Sequence, residues 1–240
     1  MPIPIIDSSY VEGFKNAHYD QYMALAEIID NSIQANAKNI HVVGIHEKIL
    51  TDSGRELDRL YSLLVYDDGD GMDKKQLAEA ITYGSEVEYD SQSLGKFGMG
   101  LKTASLAHCD KLIIFSKKKG KSKHYGSGID TLQVSKKNRW ITLDYSHSEC
   151  NAILKEYQPA FNKMNTIVMW DILKLIDREY AAKTNDRHKY NYQESLKEKL
   201  RIHLELVFHR FIEGYNVSNR KKLKINLHLY RPSLANSSEA

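Results

Sequence analysis

Three short stretches carry the polar residues that could do chemistry in this chain. In the first, Tyr19 to Asn36, apolar residues recur at the spacing of an amphipathic helix. On its polar side Glu27, Asn31 and Gln34 stand at i, i+4 and i+7 and therefore share one helix face. A carboxylate one turn before an amide can hold a water beside Mg²⁺, which takes few protein oxygens. The alternative is the solvated face of an ordinary helix.

The second stretch is Asp67-Asp68-Gly69-Asp70-Gly71-Met72, at the end of a predicted strand. Its acids partly match a calcium-binding loop, but Asp73 occupies the position at which that loop requires glycine. Two interpretations remain. The stretch is either a plain tight turn or a floor for a nucleobase, on which the glycines allow close approach and one carboxylate accepts a hydrogen bond from an exocyclic amine.

The third stretch places Gly95, Gly98 and Gly100 at the start of a predicted helix, Met99 to Cys109. Glycine lets the backbone approach a ligand closely, and the first turn of a helix offers unpaired N–H groups to an anion. This order predicts a phosphate cradle. The G-x-x-G-x-G spacing matches neither the dinucleotide fingerprint nor the P-loop, so a flexible loop before a core helix stays an alternative. The long connection Gly84 to Gly98 is typical of a lid.

Composition limits the classes of protein to which the chain can belong. With 240 residues, 42% of them hydrophobic, it can bury a substantial core. The net charge of +3 is too small to indicate nucleic-acid binding, and the lysines of Lys117 to Lys123 are typical of a solvated turn. Two cysteines, Cys109 and Cys150, form no zinc-binding pair and suit a reducing, cytoplasmic setting. No apolar run of about eighteen residues predicts a membrane segment.

Hydrophobic periodicity predicts helices and antiparallel strands in two layers. Three further helices are expected at Lys74 to Tyr83, near Ala152 to Tyr157 and at Tyr192 to Phe211. Strands are expected at Pro2–Ile6, Asn39–Glu47, Leu60–Tyr66, Lys111–Ser116, Lys123–Ile129, Trp140–Tyr145, Thr166–Trp170 and Leu223–Tyr230. A polar connection is expected at Lys48 to Asp58, and lysine-rich turns are expected to join the three strands from Lys111 to Tyr145. One helix and one strand cannot bury a core of their own, so we predict one domain over residues 1–175, with 176–240 as a junction helix and the start of an incomplete second domain.

Together, Ala26 to Ser32, Asp67 to Met72 and Gly95 to Gly100 resemble, in order and spacing, the nucleotide-binding boxes of the GHKL superfamily of ATPases. That superfamily contains gyrase, heat-shock chaperones, histidine kinases and MutL. Asn165 to Val168 is similar to its fourth, threonine-bearing element. The resemblance implies an α/β (α+β) two-layer sandwich of the Bergerat ATP-binding type, followed by the start of a transducer-type domain.

Within the superfamily, Ala24 to Asn31 and Gly98 to Ser105 are most similar to the microrchidia (MORC) ATPases. Two positions depart from the pattern. Gln34 stands where many relatives carry aspartate, and Lys96 stands where chaperone and MORC relatives often carry glutamine.

The resemblance implies a role for each matching residue. Glu27 corresponds to the general base that orients the attacking water, Asn31 to the Mg²⁺ ligand, and Asp67 to the carboxylate that reads the adenine amino group. The other implied ATP-binding residues form the wall against the base, the lid with the turn after it, and the threonine element: Gly71, Met72, Gly95, Lys96, Phe97, Gly98, Met99, Gly100, Leu101, Lys102 and Thr166.

The implied function is Mg²⁺-dependent binding and slow hydrolysis of ATP, which close the lid and drive formation of a homodimer. DNA is the implied client of the full-length protein, in the cytoplasm or, in a eukaryote, the nucleus. Two alternatives stay open: an ATP-binding interaction module without turnover, and the ATP-binding fragment of a histidine kinase. Glu27 favours hydrolysis because neither alternative needs an acid that orients water.

Overall fold

The computed structural model describes Gly13 and residues 20–50, 56–82, 100–156, 164–173, 186–214 and 222–230. The predicted strand Pro2–Ile6 and the connection Gly84 to Gly98 lie outside the described residues. The helices are α1 (Gln21–Gln34), α2 (Lys74–Ile81), α3 (Gly100–His108), α4 (Thr131–Lys137), α5 (His147–Glu156) and α6 (Asp186–Glu213). The strands are β1 (Asn39–Leu50), β2 (Glu56–Asp67), β3 (Cys109–Ser116), β4 (Tyr125–Asp130), β5 (Thr142–Tyr145), β6 (Thr166–Leu173) and β7 (Lys224–Tyr230).

The seven strands form one sheet in the order β5-β4-β3-β6-β2-β1-β7. Neighbouring strands pair antiparallel, except that β7 runs parallel to β1. Because the β2–β6 register places Asp67 opposite Thr166, the second and fourth predicted motifs meet at one edge of the sheet. The predicted α/β sandwich is confirmed.

Alternate side chains of each central strand enter two separate cores. On β3, Leu112 and Ile114 belong to the larger core, whereas Ile113 and Phe115 belong to the smaller one. Helices α1, α2, α3, α4 and α6 contribute to the larger core, and α5 contributes Cys150 and Leu154 to the smaller core. Among the described helices, α1 and α3, which carry or follow polar motifs, therefore pack on the face of the larger core.

Helix α1 begins after Asp20, whose carboxylate accepts hydrogen bonds from the backbone N–H groups of Tyr22 (2.7 Å) and Met23 (3.3 Å). Its apolar stripe is buried in the larger core: Ala24, Leu25, Ile28, Ile29 and Ile33. Burying this stripe turns the opposite line outward, so Glu27 and Asn31 are exposed. The predicted helix is confirmed, with slightly narrower bounds.

Two local predictions are wrong. The segment after β4 was expected to be a lysine-rich turn, yet it forms α4, because the Asp130 carboxylate caps Leu132 N–H (2.9 Å) and Gln133 N–H (3.2 Å) while Val134 enters the larger core. The polar connection expected at Lys48 to Asp58 is shorter, because backbone pairing between β1 and β2 outweighs the polar composition of their ends.

The described parts of residues 176–240 add to the same sheet and core. Leu200, Leu204 and Phe208 of α6 are buried in the larger core, and β7 pairs with β1 from Asn39–Lys224 to Ile45–Tyr230. The division at residue 175 stays a prediction. Of the helices in the described ranges, none is long and apolar enough to cross a membrane.

Candidate functional site

Asp67, the last residue of β2, carries a buried carboxylate at the centre of the site. Its side chain is 3% exposed; Oδ2 accepts a hydrogen bond from Ser32 Oγ (2.8 Å) and Oδ1 accepts one from Gly69 N–H (2.9 Å). Burial raises the pKa of Asp67 to about 6, although the bonds from Gly69 and Ser32 act in the opposite direction. The site thus contains a fixed acceptor that ionises near neutral pH.

Gly71 and Met72 form a tight backbone floor beside this carboxylate. Gly71 has φ +64°, and a Cβ at this position would lie 1.9 Å from the carbonyl oxygen of Lys117, so only glycine fits. Met72 N–H donates to Ser116 Oγ (2.8 Å), and Ser116 Oγ lies 3.0 Å from Thr166 Oγ1. The floor therefore depends on residues from β3 and β6 as well as on its own stretch.

Asn165 holds the floor from the other side. Its backbone N–H donates to the carbonyl of Asp67 (2.7 Å), and its Nδ2 donates to the carbonyls of Gly69 (2.7 Å) and Asp68 (3.3 Å). Thr166 follows directly and is buried opposite Asp67 in the sheet. These bonds fix the backbone around the central carboxylate.

The other two acids of the stretch have structural partners. Asp68 accepts from the backbone N–H groups of Lys38 (2.7 Å) and Asn39 (2.9 Å) and from Asn39 Nδ2 (2.6 Å). Burial opposes ionisation of Asp68, but these hydrogen bonds outweigh it and lower its pKa. Asp70 accepts from Asn36 Nδ2 (2.7 Å). Both acids tie the end of β2 to the segment after α1.

Glu27 and Asn31 lie together on the exposed line of α1, and the first residue of α3 meets Glu27. A Cβ on Gly100 would lie 3.0 Å from Glu27 Oε2, so glycine permits this close approach. Gln34, the third residue of the predicted line, instead donates from Nε2 to Asp30 Oδ2 (2.6 Å). The structure thus brings the acid of the first stretch to the helix start that follows the third.

Lys102 is buried beneath the first turn of α3, with its side chain only 2% exposed. Its Nζ donates to the carbonyls of Ala80 (3.1 Å) and Thr82 (2.8 Å), and burial lowers its pKa to about 8. Leu101 is partly buried against the larger core. The ammonium group joins the end of α2 to the start of α3, and contact of Leu101 and Lys102 with ATP stays a prediction.

Five predicted ATP-binding residues lie outside the described residues: Gly95, Lys96, Phe97, Gly98 and Met99. Three site residues were given no role from the sequence, namely Ser32, Ser116 and Asn165. Ser32 and Asn165 stand inside motifs that the sequence singled out, and Ser116 ends a predicted strand. Their positions in or beside motifs are the only signal that could have identified them.

Comparison with known proteins places the chain in a family. The family model described as "Histidine kinase-, DNA gyrase B-, and HSP90-like ATPase" matches residues 19–159. The human protein ATPase MORC2 is 29% identical over 135 residues, which are 52% of this chain and 12% of that protein. ATPase morc-1 of Caenorhabditis elegans is 25% identical over 115 residues, 48% of this chain and 12% of that protein.

The chain therefore spans about an eighth of the length of these relatives. A crystal structure of the N-terminal domain of a DNA repair protein is also similar, at 18% identity and a TM-score of 0.47. It covers 87% of this chain, which in turn covers 48% of that one.

Proposed function

Because the chain belongs to the family of histidine kinase-, DNA gyrase B- and HSP90-like ATPases, we propose that it binds Mg-ATP and hydrolyses it slowly. In this proposal Asp67 accepts a hydrogen bond from the adenine amino group, while Gly71, Met72 and Thr166 form the wall and edge of the base site. The segment from Gly95 to Gly100 wraps the phosphates.

One observation carries the proposal. A carboxylate that is 3% exposed, and fixed by Ser32 and by Gly69 N–H, shares its stretch with Gly71, where a Cβ would clash with the carbonyl oxygen of Lys117. Burying a carboxylate costs free energy unless hydrogen bonds compensate, and the raised pKa of Asp67 indicates that compensation is incomplete. Such a site gains from a further donor, which an exocyclic amine supplies.

The residues present fit a magnesium ion. The Asn31 side chain is exposed on the same helix face as Glu27, and within the described ranges no side chain or backbone group hydrogen-bonds to its amide. A single protein oxygen suits Mg²⁺, which completes its shell with waters and phosphate oxygens. When bound, the ion would neutralise charge on the phosphates.

Glu27 is the proposed general base. It is exposed, and its Oε2 lies against the first residue of α3. The N–H groups in the first turn of a helix have no partner within the helix, and together with the helix dipole they favour an anion. A carboxylate placed there can accept a proton from a water that attacks a phosphate held at the same helix start. Phosphoryl transfer needs positioning and charge stabilisation rather than a covalent nucleophile.

The deciding experiment combines calorimetric titration of ATP, with Mg²⁺ and then with EDTA, and a turnover assay on Glu27→Gln. We expect saturable binding that weakens without the metal. We expect the variant to bind ATP normally but to lose about 10²- to 10⁴-fold in turnover, because the amide cannot take a proton. The matched control is Glu79→Gln on α2, whose carboxylate lies 3.9 Å from the ammonium group of exposed Lys75.

Other outcomes would change the proposal. Loss of ATP binding in Glu27→Gln would show that this side chain is structural, and unchanged turnover would show that it is not the base. Saturable binding without turnover in the unsubstituted chain would favour a nucleotide-binding interaction module.

The proposal extends to the full-length protein. There, ATP binding would close the segment Gly84 to Gly98 and join two copies of this unit, and the resulting dimer would act on DNA. The similarity to MORC ATPases supports this extension. Analytical ultracentrifugation with a non-hydrolysable ATP analogue tests it: a shift from monomer to dimer that depends on the analogue is expected, and a monomer at saturating analogue would contradict it.

A further inference from the structure

The lysine turn, residues 117–123, connects β3 to β4 and contains lysine at five of its seven positions. Lys119, Lys121 and Lys123 are exposed, whereas Lys117 is buried and Lys118 is half-buried. We propose that this turn is a docking surface for the phosphate backbone of duplex nucleic acid. The inference deepens the proposed function by naming a partner surface beside the nucleotide site, but its test uses no ATP.

The turn is fixed in place by backbone hydrogen bonds at its start. Lys117 N–H donates to the carbonyl of Asn165 (2.9 Å), and Lys119 N–H donates to the carbonyl of Asp70 (2.9 Å). A third bond, from Lys121 N–H to the carbonyl of Lys118 (2.9 Å), closes the turn. Ordering the backbone in advance lowers the entropy cost of binding, which a free lysine-rich loop would incur.

Positive charge on the turn is only weakly balanced. Lys119 Nζ lies 4.0 Å from Asp70 Oδ1, with the two side chains 59% and 51% exposed, so this pair contributes little. Lys121 and Lys123 are exposed, and within the described ranges no carboxylate lies at ion-pair distance from either. The pKa of the neighbouring His124 is lowered mainly by burial, and the positive charge of Lys117 and the nearby His147 lower it further.

The composition of the turn selects the class of partner. It contains only lysine, glycine and serine, so it offers no aromatic ring on which the bases of a single strand could stack. It also offers no apolar side chain to insert into a lipid surface. Lysine ammonium groups bind phosphates without reading bases, so the surface fits a duplex backbone and predicts no sequence preference.

The test is the salt dependence of binding to a short fluorescent DNA duplex of mixed sequence, without nucleotide. The variant is Lys119→Gln/Lys121→Gln/Lys123→Gln. The control removes the same charge from the end of α4 and the residues after it, as Lys136→Gln/Lys137→Gln/Arg139→Gln; all three of these side chains are exposed. Thermal melting verifies that both variants are folded.

We expect the turn variant to bind at least about tenfold more weakly at fixed salt, with a log–log salt slope shallower by about 2 to 3, while the control slope changes by less than about 1. Equal losses in both variants would overturn the inference, because net charge alone would then explain binding. Unchanged DNA binding together with lost binding to phosphatidylserine vesicles would overturn it in favour of a lipid surface. Neither result depends on whether the chain hydrolyses ATP.

Discussion

At the scale of single residues, two adjacent carboxylates have opposite effects on the stability of the folded chain. Asp67 is buried with two hydrogen bonds and a raised pKa, whereas Asp68 accepts three and has a lowered pKa. Asp68 therefore stabilises the folded chain in its ionised form, while ionised Asp67 destabilises it. Destabilised groups of this kind concentrate at functional sites.

The sign of the Asp67 effect gives a pH prediction. Its pKa of about 6 in the folded chain exceeds the ordinary 3.8, so its ionisation costs about 3 kcal/mol above pH 6, and that cost disappears as pH falls from 6 to 4. We expect Asp67→Asn to raise the free energy of unfolding at pH 7, to flatten this pH dependence and to weaken ATP binding. Urea unfolding at several pH values measures the first two effects, and calorimetry the third.

The matched control is Asp68→Asn. Because this carboxylate accepts from Lys38 and Asn39 and has a lowered pKa, the substitution should reduce the free energy of unfolding at pH 7. If both substitutions lower the free energy of unfolding equally, the conclusion that ionised Asp67 destabilises the folded chain is wrong.

At the scale of elements, Lys102 connects helix α3 to the end of helix α2. It belongs to α3, yet its ammonium group donates to the carbonyls of Ala80 and Thr82 at the end of α2. The carbonyl end of a helix favours a cation, and the first residue of α3, Gly100, lies against Glu27. The lysine therefore fixes the position of the helix start that meets the proposed general base.

We expect Lys102→Met to lower the free energy of unfolding by about 1–3 kcal/mol, because two carbonyl groups lose a buried donor. Lys75→Met, on an 88% exposed side chain of α2, should change it by less than about 0.5 kcal/mol. Urea unfolding compares the two. A stable Lys102→Met variant that binds ADP normally but loses ATP affinity would instead identify Lys102 as a ligand of the terminal phosphate.

At the scale of the whole molecule, the larger core runs from α1 to α6, and β7 completes the sheet beside β1. This arrangement predicts one unfolding transition. Leu204 on α6 is only 2% exposed, so Leu204→Ala should lower the free energy of unfolding by about 2–5 kcal/mol. Leu206→Ala, on the same helix but 74% exposed, should have little effect.

Differential scanning calorimetry of the whole chain tests this prediction by the number of unfolding transitions. Two transitions, of which Leu204→Ala shifts only one, would support separate units on either side of residue 175. A single shifted transition would support one cooperative unit.

Most elements could be predicted from the sequence because local spacing determines which face of a helix or strand is apolar. The stripe that buries Ile28 and Ile29 also turns Glu27 and Asn31 outward, so their shared face follows from the sequence alone. The glycines of the second stretch likewise indicated close backbone approach before any partner was known. The α4 helix was missed because its cap, Asp130, lies at the end of a strand.

What only the tertiary structure decided are the contacts between residues far apart in the chain. Ser116 binds Met72 from 44 residues away, and Asn165 binds Gly69 from 96 residues away, so no local pattern could assign either. The same holds for β7, whose place beside β1 follows from an unfilled sheet edge and a shared core. The sequence determined which side chains could do chemistry; the fold decided which of them meet, because that depends on strand order and register.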